Sequence, residues 1–342
     1  MIDFRYHLVS IVAVFLALAI GIVLGSTELQ GHTLDVLQST SDSLRSQLNA
    51  TSNERDTYQA QAGAAQQFLQ TAEPALLSGR LSGQRVVLIT EPGAESGVVS
   101  GVRRAAGAAG ATVTGQVSLQ PKFNDISGAT QSSLGTINTS IAGDNGITLT
   151  QGSSPQTAYQ QQAAQLIAAA ILKKSGNGGK RTVSAASAQT LLSAYSQGGY
   201  LSVSGSPADR AALAIVVTPA SPPPGGQNDP ANQVLLAAVP EFAAASAATV
   251  AVGSTAGSAQ EGSSIAVLRA GSTAAHASTV DNADSTLGQI SAVQALAAQL
   301  AGGKPNSYGV SGASAVSPEP MPSPIPTATA SPRPDQTGKA NR

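Results

Sequence analysis

An imidazole, a hydroxyl and a carboxylate fall close together at His276, Ser278 and Asp281, with Asp284 just beyond. These are the residue types of a Ser–His–Asp hydrolase, in which the hydroxyl attacks, the imidazole takes its proton and the carboxylate orients the ring. A triad is assembled by geometry rather than by neighbours in sequence, and no G-x-S-x-G elbow follows any expected strand. The stretch reads better as a polar loop leading into a capped helix. Phosphate binding has two places to consider. Glu91-Pro-Gly-Ala-Glu-Ser-Gly97 and Gly253-Ser-Thr-Ala-Gly257 each follow a strand-like run, where helix N–H groups can hold an anion. Neither is G-x-G-x-x-G or a P-loop, and Glu91 and Glu95 oppose a phosphate at the first. Both read as strand-to-helix turns.

Metal chemistry finds little to work with. His7, His32 and His276 are far apart, Met1 and Met321 are the only methionines, and there is no Cys. Copper(I) prefers thiolate and thioether ligands, while copper(II) and zinc want imidazole clusters. The 19 acidic residues are scattered, and none lies on a glycosidase-type groove motif. Lys173-Lys174 and Lys180-Arg181 form a small basic patch, suited to a solvated loop or to weak contact with acidic wall polymers. No catalytic residue, metal ligand or cofactor is assigned, and the chain reads as non-enzymatic, with a degenerate nucleotide- or sugar-processing domain as the enzyme alternative.

The composition narrows the class further. The formal net charge is −1 and charged residues are 11% of the chain, which gives no reason to expect nucleic acid as a partner. Aromatics are 3% with no Trp, against an outer-membrane β-barrel with its aromatic girdles.

Leu8 to Leu24 carries no charge, and only Ser10 and Gly21 interrupt its hydrophobic run. Extended to Gly25, it spans roughly 27 Å as a helix, enough to cross a hydrocarbon core. A cleaved signal peptide would have a more basic start, a shorter apolar run and an A-x-A site, so a retained anchor fits better. Arg5 precedes the span and Glu28 and Asp35 follow it, which places the N-terminus in the cytoplasm and the bulk of the chain outside. Gly21 and Gly25 have the small-xxx-small spacing that lets membrane helices approach, a spacing that chance also produces in a Gly-rich chain.

From Leu34 to Leu76 a three–four repeat runs through Leu34, Leu37, Leu44, Leu48, Tyr58 and Leu69, with Ser41, Thr51 and Arg55 as polar interruptions. A helix of this length, roughly 65 Å, cannot bury its stripe in a small domain and needs a partner helix. A helix folded back on its own domain is the competing reading. The partner, a second copy or another protein, stays open.

Beyond Gly83, strands are expected at Arg85–Thr90, Ala111–Leu119, Ala214–Thr218, Thr249–Val252 and Ile265–Leu268. Helices are expected at Ser96–Ala109, Gln156–Lys174, Ser184–Tyr195 and Gln233–Ala245, with a last one capped by a Thr286-Leu-Gly-Gln289 box. The class is α/β: a mostly parallel sheet of Rossmann-like or flavodoxin-like type behind an anchor and a coiled-coil helix. The expected divisions are 1–28 for the cytoplasmic start and anchor, 29–78 for the stalk, 79–311 for the α/β domain and 312–342 for a disordered Pro-rich tail. Asp281, Asp284 and Gln289 are the candidate functional residues of the outer domain.

The opening Met1-Ile-Asp-Phe-Arg-Tyr-His7 and the apolar run to Gly25 resemble the start of the actinobacterial copper transport protein family, MctB type. Ser278-Thr-Val-Asp-Asn-Ala-Asp-Ser-Thr-Leu-Gly-Gln289 and Gly303-Lys-Pro-Asn-Ser-Tyr-Gly309 are similar to its C-terminal signature. The resemblance covers residues 1 to about 309, and between these motifs only the pattern matches. It implies placement in the envelope and a link to copper homeostasis, with copper as a cargo or ligand by resemblance only. It also implies septal cell-wall assembly with a partner membrane protein through the coiled coil. The family is described as channel-like, whereas the residues here give one anchor helix and no barrel.

Overall fold

The computed structural model describes residues 4–174 and 183–318, without the side chains of 4, 26–35 and 272. The Leu34 and His32 side chains, Met1, Met321, Lys180-Arg181 and the Pro-rich tail from 319 lie outside the described residues. The chain divides into two units, residues 1–67 and 68–342.

Helix α1 runs from Phe4 to Leu77 without a break, so the expected anchor and stalk are one helix. Leu, Ala, Gln and Ser dominate it, Gly63 is tolerated, and Pro74 falls in the last turn. The turn after it is closed by Ser78 N–H donating to Pro74 O (2.9 Å), and Gly79 takes φ +74°. Leu77 and Leu81 are fully buried in the second unit's core.

That unit continues through β1 (Arg85–Thr90), α2 (Ser96–Ala108), β2 (Thr112–Leu119), α3 (Gly128–Asp144), α4 (Ala158–Ile171), α5 (Ala185–Gln197) and β3 (Leu201–Gly205). It then passes through β4 (Leu213–Val217), α6 (Pro230–Ala245), β5 (Ala248–Val252), α7 (Thr255–Ser258) and α8 (Ser264–Ala270). The last elements are β6 (Ser278–Val280), α9 (Thr286–Leu300) and β7 (Ser307–Tyr308). The seven strands form one sheet in the order β3-β2-β1-β4-β5-β6-β7. Only β3 is antiparallel to its neighbour. With that edge strand the order follows the Rossmann pattern, and without it the parallel strands follow the flavodoxin pattern.

Alternation along the strands fills two cores. Val87, Ile89, Val117 and Val216 face a layer containing α3, α4, α5 and α6. Val86, Leu88, Ile215 and Val250 face α2 and α9. Strands buried on both faces read as continuous apolar runs, which is why β1, β4 and β5 are legible in the sequence.

Several expectations are corrected. Ile265–Leu268 is helical, not a strand: Ser263 caps α8 by accepting from Ala266 N–H (3.2 Å), and Ile265 and Leu268 share its buried side. The strand sits instead at Ser278–Val280, in the stretch expected to be a loop. Its polar side chains are buried because Gln299 Nε2 donates to Ser278 Oγ (2.8 Å) and Arg269 Nε to Thr279 Oγ1 (2.9 Å). The cap of α9 is Ser285, one residue earlier than expected, accepting from Gly288 N–H (3.1 Å). Helix α3 and strands β3 and β7 have no counterpart in the expected elements.

Candidate functional site

In open α/β sheets ligands enter at the carboxyl ends of the strands, where the connections diverge. Here the chain turns from the β2 side to the β5 side between β1 and β4. That crevice is closed by backbone. Glu91 N–H donates to Val217 O and Ala220 N–H to Gly93 O, both at 2.9 Å, and Ala94 bridges Pro219. The open space lies one strand over, at the carboxyl ends of β1 and β2, as a cleft of about 520 Å³ against the first turns of α2.

Its wall is a chain of hydrogen bonds. Arg103 Nη2 donates to Gln116 Oε1 (2.8 Å), and Gln116 Nε2 donates to Ser118 Oγ (2.9 Å) and Thr90 Oγ1 (3.4 Å). Glu91 also lines the cleft and is 4% exposed, and its Oε1 has no hydrogen-bond partner. Burial pushes its carboxyl up to about 7, only partly opposed by a 3.5 Å hydrogen bond from Asn124 Nδ2. Glu95, expected to oppose phosphate, is exposed at the N-cap of α2 and makes no side-chain cap there. The second candidate anion loop is a packed turn. Ser254 caps α7, and a Cβ on Gly253 would stand 2.6 Å from Ser258 Oγ.

The three candidates of the sheet domain, Asp281, Asp284 and Gln289, hold the fold. Asp281 is fully buried, paired with Arg269, and accepts from the N–H groups of Val310 (2.7 Å) and Ser311 (2.8 Å). Asp284, on the surface, accepts from Thr255 N–H (2.9 Å) and Thr255 Oγ1 (2.8 Å). Gln289 bridges two helices: Nε2 donates to Ala283 O (3.1 Å), and Oε1 accepts from Arg104 Nη2 (2.7 Å). Gly101 on α2 makes room for it, since a Cβ there would stand 2.3 Å from Gln289 Nε2. His276 is exposed, while the Ser278 hydroxyl accepts from Gln299 and from Asn306 N–H (3.1 Å). Ser278 and Asp281 are therefore held by other partners, and His276 stands on the surface. Among the described residues, no group of three or more His, Cys, Asp or Glu could hold a metal.

In the first unit, Arg5–Gly25 is long and apolar enough to cross a membrane, with a mean hydropathy of 2.9. Nothing lies within 4 Å of where a Cβ would sit on Gly21 or Gly25. Along the seam, Leu37, Leu44, Leu48 and Tyr58 are 67%, 55%, 69% and 69% exposed. Leu69, in the second unit, departs from this pattern: it is half-buried against that unit's core, and the neighbouring Phe68 is 71% exposed. Phe68 lies off the three–four repeat, so the spacing of the sequence gives it no place on the stripe.

Comparison with known proteins agrees with the sequence motifs. The family model described as "Copper transport outer membrane protein, MctB" matches residues 1–318. A protein named copper transporter MctB from Mycobacterium tuberculosis is 33% identical over 330 residues, covering 93% of this chain and 99% of that protein. The Mycobacterium leprae protein of the same name is 31% identical over 329 residues, with the same coverage. The matched region takes in the apolar helix, the long helix and the whole seven-stranded sheet, and on that ground the chain belongs to the MctB family.

Proposed function

We propose that this chain is a membrane-anchored, non-enzymatic protein of the cell envelope that serves copper homeostasis by assembling with a partner helix through α1. The copper half rests on the names of its relatives. The assembly half is carried by one observation: Leu37, Leu44, Leu48 and Tyr58 lie exposed at coiled-coil spacing on one continuous helix. Apolar surface of that kind gains about 25 cal/mol per Å² on leaving water. Residues 5–25 form the anchor, with the N-terminus cytoplasmic and the sheet domain outside, as Arg5 at its start and the lack of Lys or Arg at residues 26–44 favour. A lone helix encloses no lumen, so metal passage through a protein of this design requires further helices, from other copies or a partner.

Two parallel copies in register would set two Arg55 guanidinium groups opposite each other on the seam. Yet Arg55 is already paired with Asp56 of its own chain (2.7 Å), so a second copy and another protein both stay open as the partner. Recruitment of a cell-wall or septation partner would use the same seam.

Complementation of a deletion strain tests the proposal. Wild-type protein should restore copper tolerance, and Leu37→Asp/Leu44→Asp, at equal membrane abundance, should not. Full restoration by the double variant would overturn the assembly role. A deletion that leaves copper tolerance unchanged but disturbs septation would move the function to cell-wall assembly.

A further inference from the structure

The cleft beside β1 and β2 has no part in the anchor or the seam, and it opens at the carboxyl ends of the strands, one strand from the closed switch point between β1 and β4. We propose that it binds a neutral, polyhydroxylated ligand of sugar type, by recognition without turnover.

Charge narrows the ligand first. Glu95 at the start of α2 disfavours a phosphate or carboxylate, as does Glu91 once pH rises past about 7, and Arg103 on the same wall disfavours a cation. A neutral molecule meets neither penalty. The remaining polar groups suit hydroxyls. Ser96, Ser100 and Ser118 each carry a hydroxyl able to donate and to accept, and Gln116 and Gln120 carry amides. The Ser100 hydroxyl already donates to Gly97 O (3.0 Å), which leaves its lone pairs for an incoming donor.

The wall is also pre-set. Arg103, Gln116, Ser118 and Thr90 hold one another through the chain of hydrogen bonds described above, so a ligand need not order them. Gln120 is fixed in turn, with Nε2 donating to Ser118 O and Ser202 Oγ, both at 3.2 Å. Val99 and Leu119 supply an apolar surface for the C–H face of a pyranose.

The unpaired Oε1 of Glu91 is the second, independent sign. Buried polar atoms normally find partners, because one left without has lost its water and gained nothing in return. Among the described residues, the buried side-chain atoms left unpaired belong to Glu73, Glu91, Asn124, Gln131 and Asn282, and of these only Glu91 lines the cleft. A ligand hydroxyl donating to Oε1 would satisfy it.

The test uses the full-length protein in lipid nanodiscs and saturation-transfer NMR. The probes are glucose, galactose, arabinose and N-acetylglucosamine, with ADP and inorganic phosphate as charged comparisons. At least one neutral sugar should give a saturable signal. That signal should weaken at least about tenfold in Ser100→Trp, which fills the mouth from an exposed position, and in Gln116→Leu. Circular dichroism of both variants distinguishes a lost site from a lost fold. Absence of saturable binding by all four sugars, retention of the signal in Ser100→Trp, or binding of ADP or phosphate in place of sugar would each overturn the proposal.

Discussion

Arg269 on α8 and Asp281 at the end of β6 form an ion pair of 2.9 Å, with side chains only 11% and 0% exposed, and together they clamp the chain that follows β7. Arg269 Nη2 donates to Tyr308 O (2.8 Å) and Nη1 to Ser311 O, while Asp281 receives the N–H groups of Val310 and Ser311. Removing one partner of a buried pair leaves an uncompensated charge. Arg269→Met is therefore expected to lower stability by about 3–5 kcal/mol, measured by urea unfolding. The double variant Arg269→Met/Asp281→Leu should recover part of that loss, because no charge remains buried. A loss under about 1 kcal/mol in the single variant would show that the pair is not what holds this end of the domain.

Gly309 sits against the same carboxylate. Its φ is +131°, and a Cβ built on it would stand 1.8 Å from Asp281 Oδ1. Gly309→Ala should therefore loosen the segment from 309 to 318 before it affects the sheet. Hydrogen exchange is the readout: the N–H groups of Val310 and Ser311 should lose protection while those of β4 and β5 keep theirs.

Glu91 makes stability depend on pH. Its carboxyl is raised from an ordinary 4.5 to about 7 by burial, so the folded protein holds a proton that the unfolded chain releases. The stabilisation is complete below about 4.5 and is lost as pH rises through about 7. Glu91→Gln keeps the shape without the titration. Above pH 8 it should be more stable than wild type by up to about 3 kcal/mol, with the gap closing towards pH 4.5. A gap that does not change with pH would contradict this account.

The sequence was most legible where one segment carries its own reason. The apolar run Arg85-Val-Val-Leu-Ile-Thr90 is buried on both faces and reads as a strand without help. Ser278–Val280 does not, because what makes it a strand is Gln299 and Arg269, which reach its hydroxyls from other elements. Ile265–Leu268 has a strand's composition and a helix's cap, and Ser263 alone distinguishes them. Helix α3 is rich in Ser, Thr and Gly, and its anchor Asn138 is meaningful only with the Tyr195 hydroxyl 2.6 Å away. The cleft was legible only in part. The loop from Glu91 to Gly97 reads as a strand-to-helix turn, but Arg103 on α2 and Gln116 on β2 meet it only in the fold, and no spacing in the chain announces them. The three–four repeat was legible and Leu37, Leu44, Leu48 and Tyr58 are exposed, whereas Leu69 packs against the domain.

The central claim is that one stripe of α1 faces another helix, and site-specific photocrosslinking of the full-length protein in native membranes tests it most directly. A crosslinker placed singly at Leu37, Leu44, Leu48 and Tyr58 should give a discrete adduct at each position, while Ser46 and Asp56, off the stripe, should give little or none. Adducts at every position alike, or at none of the four, would contradict a coiled-coil assembly and leave α1 as a tether alone.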